Sequence, residues 1–482
     1  MIAHRPGEVP QQSFDAVVIG SGFGSLFFLE GLLARRPKSR VLLLERGRHN
    51  SVAWQLENQR NSDIEPRSTF SVPPGHKDSW NFTVGLGGGT NCWYAQTPRF
   101  HPNDFRTKTL YGVGRDWPLG YDDLETYYVQ AERRMAVSGS EDMARILPRS
   151  APFPLPPHKL TRVDEIMRRA QPEHHVAIAT ARASVKTPER NRCCSSGVCR
   201  LCPANAKFNF ENGFTRLLQD PRVTVLTGAE VTHLEHAGGS VTGASYRHGG
   251  RQYDARAELF VLGANAIHSP AILLRSGVDH PMTGRGLHEQ LGYAVEAFVD
   301  GVDNFDGGTI TTGLNYMLYD GAFRTTDASA LVYFENRWPH GLRNEVGKWR
   351  QVVPMTVVVE DLPQDDNRVS VGSDGAPVVS HARSSDYGER GVRRSLEQLE
   401  KLLAPLPVER IVFRGMRPTE SHLQGSLRMG RDPATSVVDV DQMHHALRNL
   451  VVVGSAVFPT GPCANPSLSV AAMSLRSAAR LA

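Results

Sequence analysis

The chain has 482 residues, enough for two or three domains, and its 40% hydrophobic and 22% charged residues suit a globular protein with a sizeable core. A formal net charge of +4 is too small to draw it to nucleic acid or to an anionic membrane surface. No apolar run approaches the ~20 residues of a membrane span, and Met1–Gln12 is polar with no apolar signal core. A cytoplasmic protein is therefore expected, and co-export with a signal-bearing partner is compatible with the same reading. Phe14–Ile19 reads as a buried strand, Gly20-Ser21-Gly22-Phe23-Gly24-Ser25 as a glycine turn, and Leu26–Ala34 as a helix. Arg40–Leu44 reads as a second strand, ending at Glu45.

That unit has the makings of a dinucleotide site. Gly20 makes the tight turn, Gly22 lets the backbone approach a pyrophosphate, and Ser25 holds the third small position, where helix packs on sheet. Gly24 completes the loop, and the helix N-terminus offers free N–H groups to phosphate. Glu45 lies 20 residues after Ser25, where a carboxylate accepts ribose hydroxyls. The unit alone leaves FAD and NAD equally open.

Further along, residues 47–75 are expected as loops and short helices, Val84–Thr90 is rich in glycine, and Tyr121–Val137 reads as a helix. The stretch 147–158 carries five prolines and reads as a surface connection. Val223–Leu226 and Leu259–Leu262 read as strands. From about Leu291 to Gly415, strand-like runs such as Ala328–Phe334 and Met355–Glu360 alternate with turns, and one helix, Asp386–Leu403, interrupts them. Asn449–Val453 reads as a closing strand and Pro466–Leu481 as a closing helix. Four of the six cysteines crowd together: Cys193-Cys194, four residues, Cys199, two residues, Cys202. Thiolates so close suit an iron–sulfur cluster, a zinc ion, or a disulfide and free thiols.

The C-terminal segments decide the family. His422-Leu423-Gln424-Gly425-Ser426-Leu427-Arg428-Met429-Gly430, then Asn449–Val453, Phe458-Pro459-Thr460 and Asn465-Pro466-Ser467-Leu468, resemble the glucose–methanol–choline (GMC) oxidoreductases, which hold FAD. Leu86-Gly87-Gly88-Gly89-Thr90-Asn91 and Asp116-Trp117-Pro118 look like further family segments, and the resemblance runs from Phe14 to Leu481. It implies an α/β fold: a Rossmann-like FAD-binding domain over 13–290 and 420–482, and a second, α+β substrate domain over 291–419 built on an antiparallel sheet. It also implies cofactor contacts at Gly88, Gly89, Asn91, Val231, Gly454, Ser455 and Pro466, besides the first glycine turn and Glu45. The family often has an Asp near Gly454, and Val453-Gly454-Ser455 lacks it. Related pyranose 2-oxidases attach flavin through a His where Cys92 stands, so that linkage is absent; a buried Cys beside Trp93 is expected instead of a cysteinyl bond.

The resemblance places the general base at His422 and its polar partner at Asn465. An alcohol gives up its hydroxyl proton only to a positioned base as hydride leaves its carbon, and imidazole titrates near neutrality. Asn465-Pro466 also looks like the cap and first residue of a helix. For His444 and His445 an ordinary structural role is expected. The cysteine segment resembles that of bacterial membrane GMC sugar dehydrogenases with a three-iron cluster, which implies a 3Fe–4S site at Cys193, Cys194, Cys199 and Cys202. The reading is an FAD-dependent dehydrogenase of a sugar, glycoside or other polyol-like substrate, passing electrons to an acceptor protein or small subunit. An oxidase releasing hydrogen peroxide and an FAD-containing lyase are the alternatives. Trp80, Tyr94, Tyr316 and Trp338 are aromatics able to stack on a sugar or to fill a core.

Overall fold

The computed structural model describes residues 13–197, 199–278, 280–336 and 348–481, so Met1–Gln12 and Trp338 lie outside the described residues. Phe14–Ile19 is the central strand of a five-stranded parallel sheet, in the order Leu450–Val452, Ala257–Leu262, Phe14–Ile19, Val41–Glu45, Val223–Thr227. These strands are almost continuous apolar runs because a parallel sheet is covered on both faces. The helix Phe23–Arg35 follows the first strand and packs against the C-terminal helix Ser467–Leu481, so closely that a Cβ on Gly31 would stand 2.8 Å from that of Ala478. Gly20, Glu45 and Gly263 fall at the carboxyl ends of three neighbouring strands, the edge where sheets of this kind bind ligands.

The second sheet is six-stranded and antiparallel, in the order Val408–Met416, Leu291–Val299, Val352–Val359, Ala330–Glu335, Thr311–Asn315, His175–Ala177. Five strands come from the segment expected to build it. The sixth, His175–Ala177, comes from far earlier in the chain and pairs with Thr311–Asn315. The helix Arg162–Ala170 joins the same layer through Val163 and Met167. The interrupting helix is present as two consecutive pieces, Asp386–Glu397 and Leu399–Leu403.

A third sheet, Glu230–Ala237, Ser240–His248 and Arg251–Ala255, was not expected. Its two turns are Gly238-Gly239 and Gly249-Gly250, all four with positive φ, the backbone a two-residue hairpin between right-twisted strands requires. Among the described residues no helix is long and apolar enough to cross a membrane.

Candidate active site

The turn after the first strand is shaped by its neighbours. Gly20 has φ +85°, and a Cβ there would stand 2.6 Å from the Gly263 carbonyl oxygen. Gly24 abuts the backbone of Gly454, and Ser25 is buried where a Cβ on Gly263 would collide with it. Both small residues therefore serve helix–sheet packing. Gly22 is different. A Cβ there would meet no atom within 4 Å, and its φ of −76° suits any residue. Nothing in the protein requires glycine at 22; the open space beside it does.

That space is a cavity of about 320 Å³. Gly20, Gly22, Gly24 and Glu45 line it, as do Gly88, Gly89, Val231, Gly454, Ser455, Pro466, His422 and Asn465. Two expected contacts are turned elsewhere. Ser25 packs on Gly263, and Asn91 donates to the Leu86 carbonyl while accepting from Gln55 Nε2. Asn91 thus shapes the second glycine loop from behind. The two loops touch, since a Cβ on Gly88 (φ +47°) would lie 2.9 Å from Gly22 Cα. Lys207 holds the back of that loop. Its buried ammonium donates to the carbonyls of Asn91 (2.8 Å), Trp93 (3.0 Å) and Arg200 (3.1 Å).

Glu45 accepts from Ser21 N (3.1 Å), Ser21 Oγ (2.6 Å) and Gly47 N (2.8 Å). Burial pushes its carboxyl up, against these hydrogen bonds. The helix Phe23–Arg35 has Gly22 as its N-cap and no side chain capping it, so its first N–H groups are left for a ligand. An unshielded helix end, a gap at Gly22 and an acid at the second strand end fit a dinucleotide. Pro466, Ser467 and Val470 border the cavity at the start of the C-terminal helix. Cys92 borders it too, its thiol 3.7 Å from the Gly89 carbonyl.

At the other end, His422 and Asn465, 43 residues apart, meet with Nε2 and Nδ2 separated by 3.3 Å. His422 Nδ1 lies 3.1 Å from Gln290 Oε1, and Glu289 Oε2 accepts from the His422 backbone N–H. Burial first, and the Arg417 guanidinium second, push the imidazole down to about 3, so the ring is neutral at neutral pH. Asn465 Oδ1 accepts from the Tyr333 hydroxyl at 2.8 Å. The amide therefore serves the site rather than capping the helix, whose first bond runs from Val470 N to the Pro466 carbonyl. Gln290 and Tyr333 were not found in the sequence, since each is defined only by contacts across more than 130 positions.

The cavity wall also carries the polar side chains of Gln96, Thr311, Thr356, Arg417 and Glu420 among apolar ones such as Ile310 and Val358. Burial pushes Glu420 up to about 7. Of the aromatics, Tyr94 lines the cavity, whereas Trp80 and Tyr316 belong to the core. His444 has the structural role expected, accepting from the N–H groups of Ala446 and Leu447.

The structure gives the expected cluster at Cys193, Cys194, Cys199 and Cys202 no support. Among the described residues no group of three or more His, Cys, Asp or Glu side chains is placed to hold a metal ion. Cys193 is buried and its thiol faces Thr309 Oγ1, Cys194 is exposed, and Cys202 Sγ accepts from Ala206 N. Cys193 and Cys202 pack in one small cluster, and all four cysteines are free.

A Rossmann-like sheet opening onto a dinucleotide cradle, with a neutral histidine across the cavity, defines a redox enzyme of the flavin or nicotinamide type. Two family models, both described as GMC oxidoreductase, match residues 86–292 and 363–474, and the chain belongs to that flavoprotein family. It is 26% identical to the fructose dehydrogenase large subunit of Gluconobacter japonicus, over 97% of each chain. It is 29% identical to paromamine 6'-oxidase of Streptomyces fradiae, over 100% of this chain and 94% of that one. The crystal structure of pyridoxine 4-oxidase from Mesorbium loti superposes with a TM-score of 0.68 at 19% identity, over 97% of this chain and 99% of that one.

Proposed function

We propose that the enzyme oxidises an alcohol group of a sugar, glycoside or other polyol-like substrate, with FAD as cofactor and His422 as general base. One observation carries the reading: a single cavity joins the glycine loops to the His422–Asn465 pair. FAD, when bound, supplies the hydride acceptor. Gly20, Gly22 and the helix end at Phe23 would hold its pyrophosphate, Glu45 a ribose, and the start of the C-terminal helix its ring system. His422 Nε2 takes the hydroxyl proton, and the Asn465 amide donates to the same oxygen and orients it. Gln96, Thr311, Thr356, Arg417 and Glu420 offer hydrogen-bonding partners to the remaining hydroxyls. The names of the two relatives, a fructose dehydrogenase and a paromamine oxidase, support a polyhydroxylated substrate.

The test is anaerobic mixing of the purified enzyme with a panel of sugars, amino sugars, glycosides and simple alcohols, followed by flavin absorbance. Bleaching by a polyol and not by the others supports the reading and dismisses a lyase. No bleaching by any member of the panel overturns it. The proposal gives the electrons to an external acceptor, a partner protein or small subunit among them; stoichiometric peroxide in air would give them to oxygen instead.

A further inference from the structure

We propose that Gln290 and Tyr333 are positioning residues that give the His422–Asn465 pair a single direction, with the hydrogen on Nδ1 of His422 and the proton-accepting lone pair on Nε2. The inference rests on His422 being the general base. Gln290 is buried and leads into the strand Leu291–Val299. Its side-chain nitrogen lies 2.7 Å from the Pro462 carbonyl oxygen and 3.3 Å from that of Ala464. A carbonyl oxygen only accepts, so the NH₂ end of the amide must face these two groups. The other end, Oε1, then faces His422 Nδ1 at 3.1 Å. An amide oxygen also only accepts, so in the neutral ring the hydrogen sits on Nδ1.

The direction now propagates. With Nδ1 protonated, Nε2 is an acceptor, so the Asn465 atom 3.3 Å away must be the NH₂ group. Asn465 Oδ1 is left facing Tyr333 Oη at 2.8 Å, and the phenol must donate. The side chains thus form one oriented line: Tyr333 donates to Asn465, Asn465 to His422, His422 to Gln290, and Gln290 to the loop carrying Pro462 and Ala464. Two backbone carbonyls fix the sense of the whole line, because reversing any link would set donor against donor or acceptor against acceptor. Tyr333 belongs to the strand Ala330–Glu335 of the antiparallel sheet, so that sheet helps aim the amide as well as lining the cavity.

The geometry gives each part a function. The bond from Asn465 to Nε2 is long at 3.3 Å, a weak cover over the base. A substrate hydroxyl arriving at Nε2 takes that lone pair, and the released amide hydrogen is then free to donate to the substrate oxygen. The reversed tautomer would present an N–H to the substrate hydroxyl and leave no acceptor there. A wrong histidine tautomer costs on the order of 10⁴ in rate where it has been isolated in another enzyme.

The experiment uses the FAD-loaded enzyme, its Gln290→Met and Gln290→Glu variants, and His422→Ala as reference. In ¹⁵N-histidine spectra, the signals that vanish in His422→Ala should show a protonated Nδ1 and an unprotonated Nε2. Gln290→Met keeps length but offers Nδ1 only a weak thioether acceptor in place of an amide oxygen; it should retain FAD, lose the Nδ1–H signature and reduce flavin roughly 100-fold more slowly or worse. Gln290→Glu in its protonated form keeps both links, its hydroxyl donating to the Pro462 carbonyl and its other oxygen accepting from Nδ1; it should keep the signature and stay within about tenfold of the native rate. A native ring protonated on Nε2 would overturn the proposal, and so would native-like reduction by Gln290→Met or a loss in Gln290→Glu as deep as in Gln290→Met. Where a variant does not fold, the native tautomer still decides. The underlying base assignment fails separately, through rapid flavin reduction by His422→Ala.

Discussion

Gly22 and His422 show how much one side chain decides. At Gly22 the protein leaves room for a Cβ and adopts a φ open to any residue, so a fold without cofactor tolerates substitution. Gly22→Val should therefore yield a folded but colourless protein, and flavin absorbance beside circular dichroism checks both halves. His422→Ala should retain FAD and reduce it at least about 100-fold more slowly, the usual scale of a lost general base. Because burial and Arg417 hold the ring down to about 3, it is already in its accepting form well below neutrality. Flavin reduction should then show no loss centred near pH 6.5 as pH falls from 8 to 5; stopped-flow rates across that range are the measurement. His422 and Asn465 stood out in the sequence because they sit in long, ordered motifs. Gln290 and Tyr333 were not, since a hydrogen bond to a residue more than 130 positions away leaves no mark beside either one.

At the scale of elements, legibility followed how local the cause was. The first strand, turn, helix and second strand could be read because a parallel strand needs apolar residues on both faces and the turn needs glycine. The Glu230–Ala255 meander carried a local signal in its two Gly-Gly turns, which went unread because its strands alternate buried and exposed residues weakly. His175–Ala177 carried none: three residues become a strand only because Thr311–Asn315 presents an edge to them. The cysteine spacing was plain, but among the described residues no group of three or more His, Cys, Asp or Glu side chains is placed to hold a metal ion. The segment is tied to the second glycine loop instead, through Lys207. Burial pushes that amine down to about 8, and its three carbonyl partners take all its hydrogens. Lys207→Met would strand those carbonyls at a cost of about 1–3 kcal/mol each left unsatisfied. We expect FAD to bind at least about tenfold more weakly, measured by cofactor release in dilute denaturant, with the antiparallel sheet unaffected.

For the whole molecule the buried histidines set the response to acid. His158, His268, His288, His381, His422 and His444 are all pushed down by burial, to between about 3 and about 4. Each is neutral in the folded chain at pH 5.5 and mostly charged in the unfolded one, so unfolding takes up protons and stability falls as pH drops below about 6.5. Asp361 and Glu420, pushed up to about 7 by burial, act in the opposite sense: they hold protons when folded and release them on unfolding. Burial pushes Glu45 and Glu360 up in the same sense, and six histidines still outnumber the four carboxyls, leaving a net uptake of protons near pH 5.5. Denaturant midpoints should fall steadily from pH 7 to pH 5; a flat or rising midpoint would show that these rings are not held neutral.

The borrowed strand His175–Ala177 also bears on how such enzymes exchange specificity. A relative's segment grafted over 291–419 of this chain would bring a foreign edge to His175–Ala177 in place of Thr311–Asn315. It would also bring an apolar surface shaped for a different pair than Val163 and Met167. His175 in turn packs on Phe334 and bonds Asp164, both by direct side-chain contact, so mismatches there reach the strand that carries Tyr333. The transplantable unit is discontinuous: a recombination that moves the sheet with its helix and sixth strand, roughly 161–177, keeps the donor's fit, and one that moves the sheet alone inherits a seam on the strand whose Tyr333 bonds Asn465.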